Sequence, residues 1–341
     1  MLNRKAIIAA IIIIPLIIIS VISKTLYSSY DGKNTRFAIK PGEGFSSVNY
    51  RLAKKNIISS ARAFHYYTKY TDKLGRLKAG TYLVKSGSTM IDVLELLTSG
   101  TPILTKITIP EGKNMYEVGK LLEKKNISTY KAFIKACTDK KLISGLGISA
   151  PSLEGYLFPE TYKFSPQTPA KEVVKAMLKQ FKHQTRLLDL AQSHLNPHEV
   201  VILASIVEKE TGAKWERPTI AGVYLNRLRK KMRLQADPTT IYGIWKNYNG
   251  NLRKKHLLKK TPYNTYRING LPLGPIANPS LAAIKAVLEP QEHSHIYFVS
   301  KNDGTHVFTP TYKKHLKAVE YWQKNRRNRK GKSWRDLKQK K

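Results

Sequence analysis

The sequence predicts an α+β fold: an N-terminal transmembrane helix, then one or more small strand–helix–helix modules, then a larger mixed α/β domain. Three observations predict it. An uncharged run fills residues 6–23, a strand–turn–helix pattern recurs between residues 37 and 133, and from Ala150 long helical periods alternate with short β-like runs.

The apolar run comes first. "MLNRKAIIAAIIIIPLIIISVISK" is uncharged from Ala6 to Ser23 and bracketed by Lys5 and Lys24. At about 1.5 Å per helical residue such a run nearly spans a hydrocarbon core of about 30 Å. A cleaved signal peptide has a shorter apolar stretch and a small-residue cleavage site, so the reading is an anchor across the cytoplasmic (inner) membrane. Arg4 and Lys5 keep the short N-terminus in the cytoplasm and place everything after Lys24 outside. Residues 1–24 are therefore read as stub and anchor, and the polar stretch 25–36 as a linker.

The repeat follows. "FAIKPGEGFSSVNYRLAKKNIISSARAF" (37–64) and "ITIPEGKNMYEVGKLLEKKNISTYKAF" (107–133) share an alternating strand, a Pro/Gly turn, an amphipathic helix ending in Lys-Lys-Asn-Ile and a second helix start. Residues 80–100 show the same strand, turn and helix order. A unit of this kind resembles the LysM modules that bind cell-wall glycan; a scaffold without ligand is the other reading. The module is bounded at 37–105, and 106–323 is the main α/β region, its first part repeat-like. Within it one helix is expected over 169–193. A second starts at Asn196 as N-cap, with Pro197 at N1 and Glu199 at N3, and stops at Gly212. Residues 233–310 read as loop-rich, with β-like runs at "HIYFVS" and "HVFTP".

Charge narrows the partners. The chain has 341 residues, 41% of them hydrophobic, and a formal charge of +37 from 60 Lys and Arg against 23 Asp and Glu. That balance calls for an anionic polymer or surface: nucleic acid, membrane or cell wall. The tail 324–341 carries +9 and no apolar period, and is expected to be disordered. Subtracting it leaves +28, so the globular part is basic in its own right. Cys137 is the only cysteine, which excludes an intrachain disulfide or a CxxC zinc site.

The segment "VILASIVEKETG" (201–212) holds two carboxylates one residue apart. On a helix turning about 100° per residue, Ser205 and Lys209 form the solvent side and Glu208 lies near it. Glu210 projects between Leu203, Ile206 and Val207. Residues at i and i+2 point apart, so the two cannot be the facing carboxylate pair of ordinary glycosidases. A carboxyl on an apolar helix face at a cleft is desolvated and keeps its proton near neutral pH, which suits a general acid. Capping or pairing at a helix end is the alternative.

Five ordered blocks then resemble one family. "LEGYLFPETY", "LASIVEKETG", "RLQADPTTIYG", "YNTYRINGLPLGPIANPS" and "HVFTPTYKKH", behind a single N-terminal anchor, resemble the endolytic murein (peptidoglycan) transglycosylase family, MltG or YceG-like. The likeness covers most of residues 35–320. Leu273 stands where a second proline is usual, and Ala236 where a threonine is frequent; neither change removes a functional group.

The resemblance implies that Glu210 is catalytic and that the chain is a lytic transglycosylase, a carbon–oxygen lyase. The implied reaction cleaves the MurNAc–GlcNAc β-1,4 bond of nascent glycan strands without water, leaves 1,6-anhydroMurNAc ends and terminates strand elongation. It implies no cofactor and no metal. Peptidoglycan strands are the substrate, and peptidoglycan synthases are partners at the level of the family. Supporting or substrate-binding roles fall to Glu208, Gln235, Asp237, Tyr263, Asn264, Thr265 and Tyr266, with Glu160 as a second cleft carboxylate. Three rivals stay open: a metal-dependent wall hydrolase using "EHSH" (292–295) and His306, a non-catalytic wall-binding scaffold, and a nucleic-acid binder. No nucleic-acid-binding pattern supports the last.

Overall fold

The computed structural model describes residues 4–191 and 193–329. The chain divides into two units, Met1–Lys106 with Lys163–Thr168, and Ile107–Tyr162 with Pro169–Lys341.

The first unit runs α1 (Arg4–Leu26), β1 (Thr35–Ile39), α2 (Phe45–Lys54), α3 (Ala61–Tyr70), β2 (Gly80–Val84) and α4 (Met90–Thr98). β1 and β2 pair antiparallel with Phe37 opposite Tyr82. Strand alternation turns Phe37, Ile39, Tyr82 and Val84 inward, onto Val48 and Leu52 of α2, Phe64 of α3 and Val93, Leu94 and Leu97 of α4. The start of α4 is set by a capping box in which Thr89 and Asp92 satisfy each other's backbone N–H.

The uncharged run expected to cross a membrane lies within α1. Side chains of residues 6–11 and 15 fall outside the described residues, and among the described residues no helix is long and apolar enough to cross a membrane.

β3 (Thr105–Thr108) and β4 (Thr161–Phe164), which pair, each straddle a division between the units, and in the second unit α5 (Met115–Lys124), α6 (Tyr130–Cys137) and α7 (Lys140–Ser144) follow β3. The repeat is visible at the level of the backbone. After α2 and after α5 the Lys-Lys-Asn-Ile sequence makes the same helix stop. Asn56 and Asn126 take positive φ, 55° and 54°, and the next amide reaches back to the helix, Ile57 to Leu52 O at 2.9 Å and Ile127 to Leu122 O at 3.0 Å. Both isoleucines are buried. This is a Schellman stop with its apolar contact, and asparagine tolerates the left-handed position it needs.

The remaining helices are α8 (Ala170–Thr185), α9 (Pro197–Glu210), α10 (Arg217–Arg229), α11 (Asp237–Gly243), α12 (Lys254–Leu258), α13 (Leu281–Leu288), α14 (Tyr312–Val319) and α15 (Arg326–Arg329). A hairpin of β5 (Tyr297–Ser300) and β6 (His306–Thr309) pairs Phe298 with Phe308. α8 ends earlier than its expected limit at 193. α9 starts as expected, with Asn196 and Glu199 closing a capping box and Pro197 at the first turn. The stretch 233–310 holds three helices where loops were expected. In the basic tail residues 326–329 form a helical turn, and 330–341 lie outside the described residues.

α9 is the axis of this unit. Every residue from Val200 to Val207 is buried, between α10 and α13. Ser205, expected on a solvent face, is fully buried; its hydroxyl donates to Ile202 O at 2.7 Å and accepts from Ile276 N at 3.0 Å. Lys209, one turn on, is exposed as expected; the central turns, covered by other elements, have no solvent side for the period to mark. Gly155, at φ +88°, lets the chain cross close by: a Cβ there would stand 2.5 Å from Pro275 Cγ and 2.9 Å from Val201 Cγ1.

Candidate active site

Glu210 is the last residue of α9, because Thr211 leaves the helix at φ −134°, ψ 140°. The turn beyond it is tied down. Thr211 Oγ1 accepts from Ala213 N at 2.9 Å and donates to Glu216 Oε2 at 3.3 Å. Glu216 in turn accepts from His306 N at 2.8 Å and lies 2.7 Å from His306 Nδ1.

The Glu210 side chain accepts from the Tyr224 hydroxyl at 2.7 Å. Tyr224, on α10, is fully buried and packs edge-on against Phe298 of β5 at 5.9 Å. Burial pushes the Glu210 carboxyl up to about 7; the Tyr224 hydrogen bond opposes this, the charge of Asp237 adds to it, and Arg227 opposes it. Burial, with the carboxylate beside it, holds the Tyr224 phenol well above its ordinary value. Arg227 is itself fixed, donating to Ile296 O at 2.6 Å and Leu234 O at 2.8 Å, with its guanidinium 5.3 Å from the Tyr297 ring.

Asp237 opens α11 and is exposed; its Oδ1 accepts from the Tyr266 hydroxyl at 2.7 Å. Gln235 is exposed and held at φ 50° by its N–H bond to Thr265 O at 3.2 Å. Glu210, Asp237 and Tyr266, expected from the sequence, are thus gathered with Tyr224 and Arg227, which it did not single out. Glu210 and Asp237 act on each other electrostatically, and so do Glu210 and Tyr266.

The other expected residues take different places. Glu208 is buried with Arg217 of α10, accepting from Nη2 at 2.8 Å and from Ser280 N and Oγ at 3.1 and 2.6 Å. It is therefore not near a polar face. Asn264 and Thr265 are fully buried. Asn264 donates to the carbonyls of Leu257 and Lys259 at 2.9 and 2.6 Å and accepts from Thr240 Oγ1 at 2.9 Å. Thr265 Oγ1 accepts from Ala236 N at 2.9 Å and bonds Thr239 Oγ1 at 2.8 Å. Both hold the loop against α11 instead of facing a ligand. Tyr263 packs on Tyr242 at 4.8 Å. Glu160 is exposed and accepts from Thr161 N at 2.8 Å; no hydrogen bond or ion pair among the described residues joins it to Glu210.

The histidines of the metal reading are engaged. His293 Nε2 lies 2.9 Å from Thr219 O, His293 Nδ1 receives His295 N at 3.1 Å, and His306 meets Glu216. Among the described residues no group of three or more His, Cys, Asp or Glu is arranged to hold a metal ion.

Glu154 escaped the sequence reading although it lies in "LEGYLFPETY". It is buried, and accepts from Met115 N at 2.9 Å, Tyr242 OH at 3.0 Å and Asn278 Nδ2 at 3.0 Å. Burial pushes its carboxyl up to about 8 against the bonds from Met115 and Tyr242. Asn278 also donates to Lys113 O at 2.8 Å and accepts from Gly155 N and Leu157 N at 2.9 Å.

The YceG-like family model matches residues 37–321. A Bacillus subtilis (strain 168) protein named endolytic murein transglycosylase is 35% identical over 309 residues, 85% of this chain and 85% of that one. A Streptococcus pneumoniae (strain ATCC BAA-255 / R6) protein of the same name is 30% identical over 300 residues, 79% of this chain and 54% of that one, so the chain spans about half the length of that relative. The crystal structure of a yceG-like protein from Listeria monocytogenes superposes with a TM-score of 0.57 at 28% identity, covering 84% of this chain and 98% of that one.

Proposed function

The chain belongs to the YceG-like family, and from that premise we propose that it is an endolytic peptidoglycan lytic transglycosylase in which Glu210 is the single acid and base. The observation that carries this reading is the carboxyl of Glu210, at the end of a buried helix, held near neutrality by burial and bonded by one phenol.

A group with a pKa of about 7 is part protonated at neutral pH and can both give and take a proton. Glu210 protonates the departing glycosidic oxygen between N-acetylmuramic acid and N-acetylglucosamine. The carboxylate left behind accepts the proton of the muramic C6 hydroxyl, whose oxygen closes on C1 to form the 1,6-anhydro ring. Because the nucleophile belongs to the sugar itself, its effective concentration is high and no second carboxylate is needed to activate water. Tyr224 orients Glu210, Asp237 with Tyr266 sets the field around it, and Gln235 is exposed beside them for substrate hydroxyls. Glu208, Asn264 and Thr265 support the walls.

Mass spectrometry of uncrosslinked glycan digested by the full chain tests the reaction: anhydro ends are expected, and products with only reducing ends would sink the proposal. The pH profile tests the assignment of the acid. Since the protonated form of Glu210 is required, kcat/KM falls as pH rises through about 7. Tyr224→Phe removes a bond that favours the carboxylate, so the alkaline limb should move to higher pH. Asp237→Asn removes a charge that disfavours it, so that limb should move lower. Shifts of the same sign in both variants would contradict the assignment.

We further propose that α1 anchors the chain in the cytoplasmic membrane and that the rest lies outside. Ile12, Ile13, Ile14, Leu16 and Ile17 are all more than half exposed on that helix, an apolar surface that water does not favour. The repeated strand–helix–helix units are proposed as wall contacts of LysM-like kind. A reporter fused after Lys341 is expected to work only outside the cytoplasm; activity inside would reverse the topology.

A further inference from the structure

The second unit carries a run of four aromatic rings that the reaction at Glu210 does not use. Trp245 and Tyr116 are nearly parallel, 14° apart with centroids at 6.1 Å. Tyr116 meets Tyr242 at 6.1 Å, and Tyr242 meets Tyr263 at 4.8 Å. Tyr242 is buried, and its hydroxyl donates to the buried Glu154, so the middle of the run is fixed from beneath. The other three rings are half-buried. They line a cavity of about 370 Å³ with Asn247, Lys246 and Lys259 on its rim.

Rings that only filled a core would be covered on all sides. Here an apolar floor meets an amide and two exposed ammonium groups, the combination that takes the C–H face of a pyranose together with its hydroxyls and attached carboxylates. Two of the elements that build the cavity, α11 and the turn at 263–266, also act on Glu210. α11 carries Asp237 at its start and Tyr242 five residues on, about 7.5 Å along a helix. The turn that places Tyr266 on Asp237 places Tyr263 in the cavity.

We infer that this cavity is a second glycan subsite, which holds a sugar of the same strand away from the cleaved bond and sets the strand's anionic peptide stem toward Lys246 and Lys259. The inference rests on the proposed reaction at Glu210. It extends that reading by naming where the strand is gripped and which substituent is recognised.

The test uses the full chain in detergent and fluorescently labelled, uncrosslinked glycan strands, either bearing their peptide stems or stripped of them by an amidase. Binding is measured in a Glu210→Gln background so that turnover cannot intervene. Trp245→Ala and Tyr116→Ala are each expected to weaken binding about tenfold, while Trp245→Phe, which keeps a ring, stays near the parent. Lys246→Ala with Lys259→Ala should weaken stem-bearing strands and spare stripped ones. With Glu210 present, Trp245→Ala should raise KM more than it lowers kcat, and increasingly so with strand length, the pattern of binding lost equally before and during reaction. Parental binding by a folded Trp245→Ala chain would overturn the subsite, whatever the activity. Failure of the parent to cleave would overturn the reaction alone, because the binding measurement does not depend on it.

Discussion

Glu210→Gln is expected to lower turnover on uncrosslinked glycan by about 10² to 10⁴-fold, the usual worth of a general acid–base group, with unchanged circular dichroism. Glutamine keeps the size of the side chain and an acceptor for the Tyr224 hydroxyl at 2.7 Å. What it lacks is a proton to release and a charge to take one back. Both halves of the proposed reaction fail together, so the effect should lie toward the upper end of that range. Anhydro-ended product formed at a near-parental rate by the variant would remove Glu210 from the mechanism. Glu208→Gln should cost far less activity, because that carboxylate is engaged with Arg217 and Ser280.

The largest effect on stability is expected at the partner of Glu208. Arg217 and Glu208 each have a side chain only 5% exposed and meet at 2.8 Å. Removing one member of a buried pair leaves the other charged and desolvated, a loss typically of about 3–5 kcal/mol. Ser280 still donates twice to Glu208, which places Arg217→Ala at the low end, about 3 kcal/mol. At about 2–4 °C per kcal/mol for a unit of this size, the melting temperature should fall by roughly 6–12 °C. Replacing both residues by apolar ones of similar volume should recover much of that loss. A melting temperature unchanged in Arg217→Ala would mean that the pair contributes nothing to the fold.

Local signals in the sequence carried the local structure. Asn196, Pro197 and Glu199 mark the start of α9 within four residues, and the two Lys-Lys-Asn-Ile stops mark α2 and α5, because capping is decided by neighbours in the chain. α13 carries a signal of the same kind, yet the stretch around it read as loop. Ser280 caps it by accepting from Ala283 N at 3.2 Å, but its signal lies directly behind the proline-rich run 272–279. The helical period separates Glu210 from Glu208, but the polar company of its carboxyl, the Tyr224 hydroxyl above all, comes from another helix and left no mark on that period.

The solvent face assigned to Ser205 was not there, because whether a helix is covered on one side or on all sides depends on partners distant in sequence. For the same reason Tyr224, Arg227 and Glu154 gave no sign of their roles. Each acts through a residue at least 14 positions away: Tyr224 on Glu210, Arg227 on Ile296, Glu154 on Met115 and Tyr242. Asn264 and Thr265 look like ligand-binding groups by composition. Only the fold reveals that their hydrogen bonds are taken up by α11, the turn before it and the end of α12.

Asn278 has a consequence for the order in which this chain assembles. One buried side chain bonds Lys113, Glu154, Gly155 and Leu157, partners 121 to 165 residues earlier. Closing so long a loop adds little to the equilibrium cost: two doublings of length, from about 40 to about 160 residues, add only about 1.2 kcal/mol. The rate is another matter, because contacts between distant residues form late and slow the search. During synthesis the segments around 113 and 155 emerge long before residue 278, and their polar groups stay hydrated until Asn278 can replace that water. The bonds that join these segments through Asn278 can therefore form only after most of the second unit has been made.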